Sequence, residues 1–214
     1  GDTVETAVSV QTGKTGEKHV IACYETIQAP FVSSYIHVVN GKLASIVGFS
    51  KEIPADDAKG IAIQVATMNP VAVGRDSVPA QILADELSVA VQKTRDELIH
   101  KAVDAALKKA GINPAHCDSE DHIESNTAKG WLTPEQATQA RGIIATVSAE
   151  KAASLNEAQI QQIAQGRVAK FLKENTLEEQ EYQMADEKIT VKEYLAKLDK
   201  DVKILSFKRF SLAD

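Results

Sequence analysis

The sequence predicts an α+β protein: small antiparallel sheets with packed helices, and a long antiparallel helical hairpin inserted among them. Three observations carry this. β-formers crowd residues 19–49 around an Asn40-Gly41 pair, the dipeptide that favours a two-residue hairpin turn. Aromatic residues make up only 5% of the chain, so packing falls to Ala, Val, Ile and Leu at helical spacing rather than to a large β-sandwich. Beyond Pro79, neither Gly nor Pro interrupts the chain until Gly111, which is room for one unusually long helix.

Taken in order, Val4, Ala7 and Val8 share a helical face within residues 3–10, and Gly13 and Gly16 then break residues 11–18 into a loop. Strands are expected at 19–27, 32–39 and 42–49. Ala58, Ile61, Ala62 and Val65 repeat at i, i+3, i+4, i+7, which predicts a core-facing helix over 55–68 that Asn69-Pro70 stops. Ser77 is the expected N-cap of the long helix, with Pro79 in its first turn. That helix carries a narrow stripe of Leu83, Leu87, Val91, Thr94, Leu98, Ala102 and Ala105, as a coiled-coil seam does, and its length is roughly 50 Å. A polar stretch, 111–132, follows. Thr133-Pro134-Glu135-Gln136 reads as a capping box that starts the return helix, with Ile143, Ile144 and Val147. After an interruption at 154–157, Ile160, Ile163, Ala164, Val168 and Phe171 continue the inward face. Thr190-Val191-Lys192-Glu193 is a second capping box, opening a short helix through Leu198, and 202–212 reads as a final strand.

A net charge of −6 disfavours phosphate backbones, where affinity comes from Lys and Arg, so protein partners are expected rather than nucleic acid. Cys23 and Cys117, in a lysine-rich chain without a signal peptide, fit a reducing, cytoplasmic setting. No apolar run approaches the roughly 18 residues of a membrane span. The start at Gly1 suggests a processed, trimmed or tagged chain.

Catalytic chemistry finds no foothold. Gly13-Lys14-Thr15 imitates the end of a phosphate-binding loop, yet Val8 stands where that motif needs glycine, and the segment follows a helix and precedes a strand. His116, Cys117 and His122, with Asp118 and Asp121, have no common zinc spacing and read as a polar loop, so no metal is expected. His19, His37 and His100 are isolated, no carboxylate pair sits in an apolar setting, and Ser33-Ser34 lacks a nucleophile elbow. The chain is expected not to be an enzyme and to need no cofactor.

Several ordered blocks resemble one family. Tyr35-Ile36-His37-Val38-Val39-Asn40-Gly41-Lys42-Leu43-Ala44-Ser45-Ile46-Val47, then Ala58 to Pro70 and Asp76-Ser77-Val78-Pro79-Ala80, are similar in order and spacing to elongation factor Ts. Gln165-Gly166-Arg167-Val168-Ala169-Lys170-Phe171, the start at Thr190-Val191 and the close at Ser206-Phe207-Lys208-Arg209-Phe210 extend the resemblance. It covers 15–87 and 160–212. The resemblance implies a two-part core with a helical hairpin inserted in its second part: 1–30 as a remnant of the first core subdomain, 31–77 with 172–214 as the second, and 78–171 as the insertion, longer than the family usually shows. Residues before and after the hairpin are then expected to fold into one surface. It further implies a guanine-nucleotide exchange factor that binds elongation factor Tu and promotes GDP release. Matched residue by residue, Gly16 and Glu17 fall in the family's contact loop, His37 on its hairpin histidine and Met184 on a methionine of a later loop. The family's N-terminal three-helix module and T-D-F-V-A motif have no counterpart in the sequence, which is expected to be a fragment of a longer factor. The alternative is an interaction module without exchange activity, dimerising through the helical hairpin.

Overall fold

A computed structural model describes residues 2–39 and 41–212. The fold is α+β: among the described residues, seven α-helices accompany a three-stranded antiparallel sheet in the order β1-β2-β3. The chain divides into two compact units, one made of Gly1–Val73 with Leu177–Asp214 and the other of Gly74–Thr176.

In the first unit, β1 (Phe31–Ile36) and β2 (Leu43–Phe49) form the hairpin, and β2 pairs with β3 (Ile204–Ser211), so the first hairpin and the last strand share one sheet. Gly41 takes φ 61° in the hairpin turn, while its neighbour Asn40 lies outside the described residues. β1 ends before the expected 39 and β2 begins after the expected 42, because residues 37–39, 41 and 42 lie outside the ladder. α2 (Ala55–Met68) matches the helix expected from the apolar spacing and ends at Asn69 in the left-handed region, φ 45°. It covers one face of the sheet. Ser45 donates its hydroxyl to the Ala62 carbonyl at 2.6 Å and Arg209 Nε donates to the Ala66 carbonyl at 2.9 Å. The core between them holds Val47, Phe49, Ile61, Val65, Leu177, Val191 and Ile204. The Thr190 capping box opens α7 (Val191–Leu198), which adds Leu195.

Residues 19–27 form no strand, contrary to expectation. A strand needs a neighbour for its ladder, and β-propensity alone does not supply one. Val20, Ile21 and Tyr24 are exposed. The end of this extended segment instead lies on the outer face of the sheet: a Cβ on Gly48 would stand 2.8 Å from Ile27 and 2.9 Å from Ala29, and Glu25 pairs with Lys208 at 3.2 Å. α1 (Val4–Thr15) runs past the expected end at Val10, because a single exposed Gly13 weakens a helix without stopping it. Gly16 ends it.

The second unit is built on α3 (Ala80–Lys109). Ser77 is not its cap. The Ser77 hydroxyl closes a 3-10 turn at Arg75–Ser77 by bonding Gly74, and Pro79 precedes the helix without a side-chain cap. α5 (Pro134–Ala153), opened by the Thr133 capping box, and α6 (Glu157–Asn175), capped by Asn156, return along α3. Of the expected α3 stripe only Thr94 is fully buried; the seam is Ala90, Thr94, Val103 and Leu107, because two successive helices rather than one cover the face. The stretch expected to be polar contains α4 (Glu120–Ala128), capped by Ser119, whose Ile123 joins Leu107, Ile112, Cys117, Leu132 and Ala140 in a second core.

Candidate functional site

The end of the β1–β2 hairpin exposes several apolar side chains. Alternation along β1 turns Phe31, Ser33 and Tyr35 toward the core and Val32, Ser34 and Ile36 outward, and the chain then continues into the turn. His37 is half-buried there. Its amide donates to the Leu43 carbonyl at 2.8 Å, its carbonyl accepts from Gly41 N at 2.9 Å, and its ring sets an edge toward Tyr35, with centroids 6.3 Å apart. The Val39 amide donates to His37 Nδ1 at 3.4 Å. Its chain neighbours Ile36, Val38 and Val39 are exposed, the last two at 91% and 83%. Leu212, whose amide donates to the Lys42 carbonyl at 2.9 Å, adds a fourth exposed apolar side chain. Scattered exposed valines need no explanation, whereas a cluster on one turn marks a surface that something covers.

Gly16 and Glu17 lie at the end of α1. Gly16 adopts φ 73° and donates to the Thr12 carbonyl at 2.9 Å, closing the helix with the left-handed cap that glycine takes most readily. The Glu17 amide donates to Thr15 Oγ1 at 3.2 Å, and His19 Nδ1 donates to the Glu17 carbonyl at 2.8 Å, which leaves the Glu17 carboxylate in water. Met184 is exposed on the loop between Leu177 and α7. Its Cγ lies 3.7 Å from where a Gly60 Cβ would stand, so it sits against α2. The structure thus puts the four residues in three places: the α1 cap, the hairpin turn and the α7-side loop.

Two phenols of this unit belong to its packing. Tyr194 donates its hydroxyl to Asp57, and that bond, with burial, pushes its pKa up to about 12; Tyr182, whose ring is tilted against it with centroids 4.4 Å apart, is pushed up to about 12 by burial and by the Asp57 charge. Both phenols stay neutral at ordinary pH. In the second unit, Cys117 is buried in the core and its thiol is pushed up by burial and by Asp118. His122 faces Asp118, and His116 lies over Trp131 with ring centroids 5.5 Å apart. No group of three or more His, Cys, Asp or Glu side chains able to hold a metal exists among the described residues. Nor is any described helix long and apolar enough to cross a membrane.

The family model described as Elongation factor TS matches residues 1–214. The chain belongs to the elongation factor Ts family. Elongation factor Ts of Bacteroides fragilis is 50% identical over 210 residues, which are 98% of this chain and 63% of that protein. The elongation factor Ts of Bacteroides thetaiotaomicron is likewise 50% identical over the same shares, and that of Porphyromonas gingivalis is 29% identical over 99% of this chain and 56% of its own. The chain therefore spans about 63% or less of the length of these curated relatives.

Sequence reasoning missed the exposed pair Val38 and Val39. The signal was present in Val38-Val39 beside Asn40-Gly41, since apolar residues at a tight turn lie outside the strand alternation that would bury them. It also passed over Gln64, a lone polar residue inside the aliphatic run Ile61-Ala62-Ile63-Gln64-Val65.

Proposed function

We propose that this chain carries a surface of an elongation factor Ts that grips elongation factor Tu and favours its nucleotide-free state, so that GDP leaves faster. The observation that carries the reading, beside family membership, is the end of the hairpin, where half-buried His37 is followed by the exposed Val38 and Val39. An apolar centre with a polar anchor suits a protein interface. Gly16, Glu17, His37 and Met184 are the proposed contacts. In this reading 31–77 and 172–214 form the core that holds the partner, 78–171 is the inserted hairpin, and 1–30 is part of a first core subdomain. The work is done in the cytoplasm.

Exchange needs no bond chemistry. It is a linkage between two ligands of one GTPase: whatever factor the partner protein removes from GDP affinity, GDP removes from the partner's affinity. A thousandfold effect corresponds to about 4 kcal/mol, within reach of a few well-packed contacts.

The test is release of a fluorescent GDP from elongation factor Tu with and without the chain. Acceleration is expected. Binding without acceleration would make the chain an interaction module, and no binding would refute the reading. His37→Ala is expected to weaken binding at an unchanged melting temperature; equal binding removes His37 from the contact surface.

A further inference from the structure

Gln64 is fully buried on the core face of α2, where its neighbours Ile61 and Val65 are aliphatic. Its amide serves one loop. Nε2 donates to Gln180 Oε1 at 3.2 Å and to the Glu181 carbonyl at 3.1 Å, and Oε1 accepts the Gln183 amide at 3.1 Å. Gln180, itself buried, returns a bond from Nε2 to the Met68 carbonyl at 3.5 Å. Between these anchors the Tyr182 ring is inserted over Gly60 so closely that a Cβ there would stand 2.1 Å from the phenol oxygen. Backbone pairing on the far side, Tyr182 N to the Ile189 carbonyl at 2.9 Å and Val191 N to the Gln180 carbonyl at 3.0 Å, completes the frame.

A buried amide adds little net stability over an apolar side chain of the same shape, but leaving any of its bonds unmade is expensive. Such a network selects one conformation. Met184, next after Gln183, is what that conformation presents: it is 52% exposed and rests beside Gly60.

We infer that Gln64, with the gap left by Gly60, is a positioning residue that preorganises the 180–184 loop so that Met184 meets the partner protein already in place. The inference rests on the proposed contact of Met184 with elongation factor Tu. A preformed loop removes the ordering cost from binding. Gln64 touches no partner and acts only through the loop.

The experiment is a double-mutant cycle. Affinity for nucleotide-free elongation factor Tu is measured for the unaltered chain, Gln64→Leu, Gly60→Ala, Met184→Ala and the two doubles with Met184→Ala. Gly60→Ala keeps α2, since alanine favours helix, while displacing Tyr182. Gln64→Leu and Gly60→Ala are each expected to weaken binding roughly three- to tenfold, and to add nothing once Met184 is truncated. Faster hydrogen exchange at the Gln183 amide is expected in Gln64→Leu. Two results overturn the inference alone: losses equal with and without Met184, or a loss for Met184→Ala with none for Gln64→Leu and Gly60→Ala. Absence of any binding by the unaltered chain, or no loss on Met184→Ala, overturns the functional reading first and this inference with it.

Discussion

Replacing Val38 and Val39 together by serine tests whether the hairpin turn is a binding surface. At 91% and 83% exposure, nearly all of their apolar surface is free to be covered by a partner and almost none is engaged within the chain. Full burial of one valine is worth about 1.5 kcal/mol, so the pair has a ceiling of about 3 kcal/mol. Imperfect packing at an interface recovers only part of that, and a loss of about 2 kcal/mol, roughly 30-fold in Kd, is the expected effect. Stability is expected to change by less than about 0.5 kcal/mol, as at other exposed positions. Titration of nucleotide-free elongation factor Tu, alongside a thermal melt, separates the two quantities. An unchanged melt with Kd moved less than about twofold would refute the reasoning, because apolar surface that a partner covers cannot be removed without loss.

Other outcomes follow from the packing. Ile61→Ala, at a fully buried position of α2, is expected to destabilise the first unit by about 2–5 kcal/mol in denaturant unfolding; a loss under about 1 kcal/mol would contradict the core described here. Thr190→Ala removes the hydroxyl that caps α7 and is expected to cost about 1 kcal/mol in the same measurement. The Thr190 amide and hydroxyl hold the Glu193 carboxyl below its ordinary value of 4.5, so its contribution is complete above that pH and is lost as pH falls through the lower, folded value. Glu193→Gln is therefore expected to flatten the acid limb of the melting profile below about pH 4.5, and an unaltered limb would count against the capping bonds. Exposed Cys23 is expected to react at once with a thiol reagent, whereas Cys117, buried and with its thiol pushed up, reacts only as its core opens. Equal rates for the two would show that the second core is loose.

Local signals were legible where one residue has one physical job. The two capping boxes, at Thr133 with Gln136 and Thr190 with Glu193, and the stop at Asn69 lie where the sequence placed them. Segments whose state depends on distant neighbours were not. Residues 19–27 have the composition of a strand but no ladder to join, and Ser77 has the side chain of an N-cap but bonds Gly74, three residues before the helix opens at Ala80. α4 was hidden because its inward face has only Ile123 as a large apolar residue; Ser119 followed by Glu120 and Asp121 was the signal to read. His37 and Met184 were reached by resemblance, not by chemistry, since an isolated histidine and a loop methionine announce nothing. Gln64 shows the converse: its polarity was visible in the sequence, but its meaning depended on a loop more than a hundred positions away.

The paired backbone at the foot of the helical insertion bears on how the chain finds its fold. Leu177 donates its amide to the Ala72 carbonyl and Glu178 to the Val73 carbonyl, both at 2.9 Å, so the chain leaves the first unit and re-enters it at one point. β2 and β3, the strands that must meet, are separated by the whole of the second unit. Helices with near-neighbour contacts assemble quickly, while pairing across a long open loop is slow. Once the helical hairpin has closed, the strands are joined by a short tether in place of a long coil, and lengthening or trimming the hairpin at its far end leaves that tether unchanged.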